Sequence, residues 1–517
     1  MSEATRPNVL LFCVDEMRAD HLACAGNPHV QTPNLDRLAA RGTLFRGGAC
    51  NNPICMPARA TLFTGLLPRD HGLRVNGQRM HPGLPTLPGV LAEAGYRTHA
   101  AGKLHLTPWR PLADPPDPAA NPECMDSWSA GAIRSFPTPY YGFQTVDFVG
   151  GHTAYAYGPY LHWLEAQGVD PKLLKPERAL EPPTDAPQCY KMGLPEELHY
   201  NRWIADSTIR CIEAGAADGA APWFAWCSFP DPHAPLGPPA PYCDLYAPET
   251  MPLPARREGE IDDLPPVYRR VVEGAVRPNG TDSRPRPDAH WQEMLARTYG
   301  MITHLDAEVG RVLDALDRTG QADRTVLAFV SDHGDMMGDH GLIWKSFYTF
   351  RACTRIPFLL AAPGCPGGRS TDALAAQVDL FPTVLDLCGA PLPGADWPAT
   401  ETPFERGIEA PLRLYPGRSL RPVLDGTAGA VRDRVVIEND DPTTGYRVRS
   451  LLTPTHRLAV YPGTPDGELI DLAADPDELH NLWYRAGRRA LRDRLTAELL
   501  DAYAAETPLY PVPAWNA

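Results

Sequence analysis

The pattern of apolar and polar positions predicts that short buried strands alternate with amphipathic helices over most of this chain. A continuous apolar run occurs at 8–14, and further segments with the length and pattern of strands occur at 96–101, 223–229, 325–330 and 356–361. Helical periodicity occurs at 58–63, 84–94, 200–214, 293–318 and 378–388, and Thr32, Pro33 and Gly42 mark the ends of a further helix. Because strands that alternate with helices pair in parallel, we predict an α/β fold with a large, mainly parallel or mixed sheet sandwiched by helices.

The pattern changes near residue 415, where shorter alternating strands replace the longer apolar runs. Four such segments lie at 435–438, 446–451, 457–461 and 468–471, and a helical segment follows at about 485–505. We therefore predict a large α/β domain over 1–414 and a smaller C-terminal α+β subdomain over 415–517, with a small antiparallel sheet and a helix.

The charge balance of the 517-residue chain argues against whole classes of partner. It has 48 Lys and Arg against 63 Asp and Glu, a net charge of −15. An acidic surface repels nucleic-acid backbones and anionic lipids, so we expect no nucleic acid and no membrane as partner, and an anionic substrate needs a local cationic pocket. No apolar stretch has the length of a transmembrane helix, and residues 1–7 lack the pattern of a signal peptide, so we expect a cytoplasmic protein.

The 12 cysteines are scattered along the chain without the spacing of a zinc site. Several lie in apolar strands, as Cys13 and Cys227 do, which indicates small buried side chains. Their distribution favours reduced thiols in a reducing compartment.

Polar clusters follow the predicted strands at their carboxyl ends, where open α/β sheets form their binding sites. Asp15 and Glu16 end the first strand, and Asp332 and His333 end the strand at 325–330. Adjacent carboxylates and an imidazole can bind one cation, and the oxygen-rich set favours Ca²⁺, Mg²⁺ or Mn²⁺. Taken singly, each cluster is also compatible with a solvated or Asp-capped turn.

Three further segments carry candidate cations and bases. Lys103 and His105 alternate on an extended segment and face one side, which suits an anion and a proton transfer. Neighbouring prolines hold His233 at a loop tip, as a general acid near a leaving group requires. Lys345 follows the second acidic cluster and could reach the same substrate. Each side chain, taken alone, is also compatible with an ordinary loop or surface position.

The segment CMPARATLFTG, which begins at Cys55, gives the most specific signal in the chain. Cys55 lies at the start of a predicted helix, whose N-terminus favours a bound anion. Arg59, one turn further on the same face, can neutralise negative charge. A buried cysteine before a proline turn is the alternative interpretation of an isolated C-x-P-x-R pattern.

Taken in order, these motifs resemble the type I sulfatases of the alkaline phosphatase superfamily. The similar region runs from Asn8 to about Pro363, and 468–483 resembles the C-terminal segment of the family. The resemblance implies an alkaline-phosphatase-like fold, with 1–414 as the catalytic domain of an arylsulfatase-like hydrolase that cleaves small-molecule sulfate esters. It implies one divalent metal ion, with Ca²⁺ favoured and Mn²⁺ or Mg²⁺ as alternatives, bound by Asp15, Glu16, Asp332, His333 and Cys55.

The resemblance also implies that Cys55 is oxidised to formylglycine, which requires transient contact with a maturation enzyme. The hydrated aldehyde carries two hydroxyls, one of which attacks sulfur in line. Loss of the second hydroxyl's proton then expels sulfate and regenerates the aldehyde. By the same resemblance, Arg59 and Lys103 hold the aldehyde hydrate, and His105 assists sulfate release.

The resemblance assigns His233 and Lys345 to the leaving oxygen, and two positions depart from the family pattern. Glu16 stands where many members have Asp and where relatives that act on phosphonate esters have Gln, so its ligation is less firmly implied than that of Asp15. Ala58 replaces the usual Ser, but the Cys, Pro and Arg that maturation requires are present.

Two alternative functions stay open. The superfamily also contains phosphonate monoester hydrolases and phosphodiesterases, which tend to lack the arrangement of Lys103 and His105, so we rank sulfate ester hydrolysis first. A protein whose Cys55 stays a thiol would instead be an inactive anion-binding protein. A homo-oligomer is a further open alternative to the monomer.

Overall fold

The computed structural model describes residues 6–113, 116–219, 221–393 and 415–505. Its strands are β1 (Asn8–Val14), β2 (Thr43–Ala49), β3 (Arg97–Gly102), β4 (Thr145–Phe148), β5 (Trp223–Phe229), β6 (Thr325–Ser331), β7 (Phe358–Ala361), β8 (Arg369–Ala376), β9 (Val435–Asp440), β10 (Arg447–Leu452), β11 (His456–Val460) and β12 (Gly467–Asp471). Its α-helices are α1 (Pro33–Arg41), α2 (Cys55–Thr64), α3 (Pro68–His71), α4 (Leu87–Glu93), α5 (Met125–Ser129), α6 (Pro159–Ala166), α7 (Tyr200–Asp218), α8 (Pro266–Val272), α9 (Asp288–Arg318), α10 (Arg351–Thr354), α11 (Gln377–Cys388), α12 (Arg421–Leu424) and α13 (Arg489–Ala505). None of these described helices combines the length and the hydropathy that a membrane span requires.

Eight strands form the large sheet, in the order β4-β3-β5-β1-β6-β7-β2-β8. Its strand pairs are parallel except for the two made by β7, which runs antiparallel to β6 and to β2. In the central strand β1, Phe12 pairs with Cys227 of β5 and with Phe329 of β6. The mainly parallel α/β sheet predicted from the sequence is therefore confirmed.

Helices cover both faces of this sheet, as the sequence predicts for strands without a polar side. Alternate residues of β1 pack with α7 and α9 on one face, and the residues between them pack with α2 and α11 on the other. The first set is Leu10, Phe12 and Val14, and the second set is Val9, Leu11 and Cys13. Burial on both faces explains why this strand is apolar throughout.

Strand β2 was not predicted, because it lacks the apolar run that marks the other central strands. Its sequence includes Gly47 and Gly48, which are buried against the neighbouring strands. A Cβ atom at Gly48 would lie 2.5 Å from the Cβ of Phe358, and one at Gly47 would overlap the backbone of β8. The glycines therefore reflect a close approach of strands rather than a loop.

The C-terminal part contains a second, antiparallel sheet in the order β12-β11-β10-β9, as predicted. Helix α13 packs on it through Leu495 and Leu499. The buried Arg457 of β11 forms ion pairs with Glu468 (2.7 Å) and Glu478 (2.5 Å). The predicted boundary at 414 borders 394–414, which lies outside the described residues, as does 506–517.

Candidate active site

The carboxyl ends of β1 and β6 bring two acidic motifs together. The strands are parallel neighbours with Val14 paired to Ser331, so the residues that follow them emerge side by side. The Asp332 amide donates to the Val14 carbonyl (3.1 Å), and the Glu16 amide donates to Asp332 Oδ1 (3.1 Å). The sheet register therefore places the buried carboxylates of Asp15 and Asp332 at one point.

Cys55, the first residue of α2, lies next to the carboxylates of Asp15 and Asp332. Its Sγ lies 3.7 Å from Asp15 Oδ1 and 3.1 Å from His333 Nε2. Potential ligand atoms of Asp15, Cys55, Asp332 and His333 all lie within 4.8 Å of one another. Burial and Asp15 oppose ionisation of the Cys55 thiol, but the charges of Lys345 and His333 outweigh them and hold its pKa well below the usual range.

The donor set of this cluster fits a divalent cation. His333 Nδ1 donates to the Gly334 carbonyl (2.9 Å), which directs Nε2 at the carboxylates. Without a cation, Asp332 raises the pKa of His333 to about 9 against the effect of burial, so a bound cation would take the place of the Nε2 proton. Burial and the neighbouring Asp15 raise the pKa of Asp332, because two adjacent buried carboxylates repel each other. Glu16 Oε1 is buried and has no hydrogen-bond partner in the described part of the chain. Oxygen-rich sites of this kind suit Ca²⁺, Mg²⁺ or Mn²⁺.

Arg59 is fully buried behind the carboxylates and offsets part of their charge. Its Nε donates to Asp332 Oδ2 (2.8 Å), and its Nη2 lies 3.4 Å from Asp15 Oδ2. Its Nη1 donates to the Lys103 carbonyl (3.1 Å) and to Ser228 Oγ (3.0 Å). With three nitrogens engaged, Arg59 is a fixed counter-charge that orients both carboxylates.

Lys103 and His152 contact the other side of Asp15. Lys103 Nζ forms an ion pair with Asp15 Oδ2 and donates to His152 Nε2. His152 Nε2 lies 3.4 Å from Asp15 Oδ2. Burial, together with the charges of His233 and Lys103, lowers the pKa of His152 well below its usual value. The neutral ring accepts at Nε2 and therefore carries its proton on Nδ1.

His233 and Lys345 converge on the carboxylate of Glu16. Their nitrogens lie 3.0 Å and 2.6 Å from Glu16 Oε2 and 2.6 Å from each other. The His233 ring also stacks on His152, with ring centroids 3.5 Å apart and an interplanar angle of 3°. Burial and the charge of Lys345 lower the pKa of His233, but Glu16 raises it to about 9, so this carboxylate favours a protonated ring. The shared carboxylate holds these two cations together.

His105 lies on a short segment that a buried carboxylate fixes. The three backbone N–H groups of 105–107 donate to Glu123, at 2.5, 2.7 and 3.1 Å, and the Tyr140 hydroxyl donates to it at 2.7 Å. These contacts hold His105 in the left-handed region, with φ 61°. Its ring stacks on Trp109 at 5.0 Å. Burial and Lys103 lower the pKa of His105 to about 4, which keeps the ring neutral.

The structure brings the residues predicted from the sequence into two adjoining groups. The first group is Asp15, Cys55, Arg59, Asp332 and His333. The second group is Glu16, Lys103, His105, His233 and Lys345. Glu16 lies outside the four residues whose ligand atoms cluster within 4.8 Å, and its Oε2 is engaged by two cations instead.

Sequence reasoning missed His152 and Glu123. His152 follows the strand β4, which is too short and too polar to be predicted from its pattern. The glycines at 150 and 151 could have indicated a strand end, and the histidine that follows them would then have been a site candidate. Glu123 lies in a proline-rich loop, where no periodic pattern marks it.

Comparisons with known proteins agree with this geometry. Residues 7–390 match the family model described as Sulfatase. An arylsulfatase from Clostridium perfringens (strain 13 / Type A) is 27% identical over 507 residues, which cover 92% of this chain and 90% of the relative. The multifunctional alkaline phosphatase superfamily protein PehA from Trinickia caryophylli is 30% identical over 408 residues, with coverage of 76% and 75%.

A solved structure extends the similarity to nearly the whole chain. The phosphonate monoester hydrolase of Agrobacterium radiobacter superposes with a TM-score of 0.79 at 25% identity, covering 98% of this chain and 97% of that chain. The family match spans the strand ends and the helix that form the candidate site. The chain therefore belongs to the sulfatase family and is a sulfuric ester hydrolase.

Proposed function

We propose that this protein hydrolyses sulfate monoesters to inorganic sulfate and an alcohol or phenol, with Cys55 as formylglycine supplying the nucleophile. The position of Cys55 carries the proposal: it begins α2 and lies 3.7 Å from Asp15 Oδ1 and 3.1 Å from His333 Nε2. As the aldehyde hydrate, position 55 offers one hydroxyl to attack sulfur and a second whose deprotonation expels sulfate. Water then rehydrates the regenerated aldehyde.

One divalent cation fits the cluster, with Ca²⁺ as the first choice and Mn²⁺ or Mg²⁺ as alternatives. Its proposed ligands are Asp15, Asp332, His333, Glu16 and position 55. When bound, such a cation stabilises negative charge on sulfate oxygens and favours ionisation of a hydroxyl at position 55. The chain contributes the fixed orientation of the ligands, through Arg59 on both aspartates and through Gln377 Nε2, which donates to the Asp332 carbonyl (2.6 Å).

Lys103, His105 and His152 form the side of the site that we assign to the sulfate group. Lys103 supplies a buried positive charge, and the Nδ1–H of His152 supplies a neutral donor for a sulfate oxygen. The neutral ring of His105 interacts with Cys55 and can take up the proton of the second hydroxyl as sulfate leaves.

His233 and Lys345 form the side that we assign to the leaving oxygen. The His233 ring is protonated, and its Nδ1 donates to the Ala234 carbonyl (2.5 Å), which fixes the ring with Nε2 directed at Glu16 and Lys345. Nε2–H is therefore placed to protonate the departing alcohol. Lys345 stabilises the charge that develops on the same oxygen.

The mass of the peptide that contains Cys55, measured on protein that turns over 4-nitrophenyl sulfate, tests this proposal. We expect the thiol to be replaced by the aldehyde or its hydrate in a fraction that scales with specific activity across preparations. Active material with only the unmodified thiol would refute the formylglycine mechanism. Inactive, unmodified protein that binds sulfate would support an anion-binding protein instead.

Hydrolysis of phosphonate or phosphate esters is the second candidate, because the phosphonate monoester hydrolase superposes over 98% of this chain with a TM-score of 0.79. We rank sulfate esters first because this chain has Lys103 and His105, an arrangement that the phosphonate-cleaving relatives tend to lack. On one preparation, we expect kcat/KM for 4-nitrophenyl sulfate to exceed that for 4-nitrophenyl phenylphosphonate. The reverse order would make the second candidate the principal activity.

A further inference from the structure

A second cavity of about 510 Å³ lies beside the segments that follow β1 and β6, where α9 and 477–478 of the C-terminal part close it. None of the residues of the candidate active site lines it. Its walls include the aromatic side chains of Phe45, Trp291 and Tyr299 and the guanidinium groups of Arg351 and Arg355. Cavities of roughly 300–1,000 Å³ with apolar walls and a few polar groups are typical of small-molecule sites.

The two arginines are half-buried, and their guanidinium groups have no carboxylate partner among the described residues. Arg351 Nη1 donates to the Pro476 carbonyl, and Arg355 Nη2 donates to the Arg46 carbonyl. Arg355 Nε is buried without an acceptor among the described residues, and the backbone N–H of Arg351 donates to Glu478 (2.6 Å). Burial and the charge of Arg351 lower the pKa of Arg355 to about 10, although Glu478, Asp372 and Asp20 act in the opposite direction. An anion in the cavity would relieve this repulsion.

The acidic groups around the cavity are largely engaged elsewhere. Arg18 binds Asp20 and Asp339, each at 2.7 Å. Glu478 binds the buried arginine of β11 at 2.5 Å. Asp477 lies exposed at the rim. Among the arginines that line the cavity, those at 351 and 355 are therefore the ones without an ion pair in the described part of the chain.

A tryptophan provides an independent sign of a missing acceptor. Trp291 lines the cavity and is only 2% exposed, yet its Nε1 has no hydrogen-bond partner among the described residues. A buried indole N–H normally donates a hydrogen bond, because an unsatisfied one costs about 1–3 kcal/mol. The cavity thus contains two unsatisfied N–H groups, on Arg355 and Trp291, beside aromatic walls.

We propose that this cavity is a binding site for an organic acid with an apolar or aromatic body. Its carboxylate, sulfonate or phosphate group accepts from Arg351, Arg355 and Trp291. Its apolar body packs on Phe45 and Tyr299. The site is distinct from the candidate active site and does not depend on the modification of Cys55.

Isothermal titration with 2-naphthoate and with 2-naphthalenesulfonate tests this site, and the two probes show which anionic group it prefers. We expect one saturable site in the full-length protein, which inorganic sulfate at the concentration that saturates the active site does not block. The uncharged 2-naphthylmethanol should bind at least ~10-fold more weakly, since a hydrogen bond to a charged group contributes about 1.5–3 kcal/mol.

Two substitutions locate the binding. Trp291→Phe keeps the aromatic packing and removes the N–H, and Arg355→Met keeps the side-chain length and removes the charge. We expect Trp291→Phe to weaken naphthoate binding by ~3-fold and Arg355→Met to weaken it by ~10-fold or more. The control substitution Arg494→Met, on the exposed face of α13, should leave naphthoate binding unchanged. The absence of saturable binding, equal binding by all variants, or loss of binding with sulfate would each overturn the proposal. If Arg355→Met does not fold, Trp291→Phe alone decides.

Discussion

The two halves of the candidate active site are held in place by different parts of the fold. The first half, with Asp15, Cys55, Asp332 and His333, lies at the ends of two adjacent strands and at a helix N-terminus. The second half, with His105, His152, His233 and Lys345, lies on loops. Backbone register fixes the first half, whereas side-chain contacts and buried carboxylates fix the second.

This difference determines how each half responds to substitution. The strand-end groups share one centre, so in our proposal the loss of any one of them removes the nucleophile or the cation on which all the others act. The loop-borne groups each contact one part of the substrate in our proposal, so single losses should lower activity by smaller, separate factors. Four substitutions test this comparison, from the largest expected effect to the smallest.

Cys55→Ala should abolish turnover, because it removes the proposed nucleophile. Loss of a nucleophile lowers kcat by on the order of 10⁴-fold or more. Sulfate release from 4-nitrophenyl sulfate measures the effect, and circular dichroism and Tm serve as controls for folding. Substantial residual activity in a folded Cys55→Ala protein would contradict the proposal that position 55 supplies the nucleophile.

Asp332→Asn should prevent binding of the proposed cation and lower kcat/KM by at least ~10²-fold. Metal content after dialysis, measured by mass spectrometry of the elements, provides a readout that is independent of activity. Both Asp332 oxygens accept hydrogen bonds, one of them from the buried Arg59, so the amide should also lower the Tm of chelator-treated protein. Asp372→Asn, at an exposed ion pair with Arg46 (2.8 Å), is the matched control. Full metal content in Asp332→Asn would contradict the assigned ligand set.

His152→Phe should lower kcat/KM by ~10²-fold, because it removes one donor to the sulfate group. The phenyl ring preserves the stack on His233, so Tm should change little. His152→Asn keeps an N–H donor without the stack and should recover part of the lost rate. If the His152→Phe protein retains the kinetics of the unsubstituted protein, the ring of His152 does not donate to the sulfate group and only packs against His233.

Glu123→Gln should have the smallest effect on rate and a clear effect on stability. The amide is a weaker acceptor for the three backbone N–H groups of 105–107, so we expect a loss of about 1–3 kcal/mol in the free energy of unfolding. A displaced His105 should lower kcat/KM by ~10-fold. Urea denaturation and kinetics measure both quantities.

Glu498→Gln is the control for this substitution, because Glu498 pairs with Arg494 on the surface (2.5 Å) and should change stability by less than about 0.5 kcal/mol. Unchanged stability of the Glu123→Gln protein would show that the loop at 105–107 does not depend on this carboxylate.

The sequence predicted the strand-borne part of the fold well because those strands are buried on both faces. The apolar runs gave β1 and β5 with the bounds that the structure shows, and β6 within one residue. The strands β2, β4 and β8 were missed, because glycines or exposed polar residues interrupt their apolar pattern. A strand that is buried through backbone contacts needs few apolar side chains, so its sequence lacks the periodic apolar pattern from which strands are predicted.

The sequence by itself determined which chemical groups are available and on which strand ends and helix start they lie. Asp15 and Asp332 follow long apolar runs, and Cys55 begins a helix, so local backbone preferences place them. These features are periodic and local, and a sequence pattern records them. The neighbouring strands then follow from the parallel sheet that the same pattern predicts.

Only the tertiary structure decided which loop residues meet. Glu16 and Lys345 are separated by 329 positions, and Lys103 and His152 by 49, yet both pairs are in contact. The sequence also gives no sign that Glu123 supports His105, or that the second cavity has two arginines without an ion pair among the described residues. Such contacts depend on distances across the folded chain, and no local periodicity encodes them.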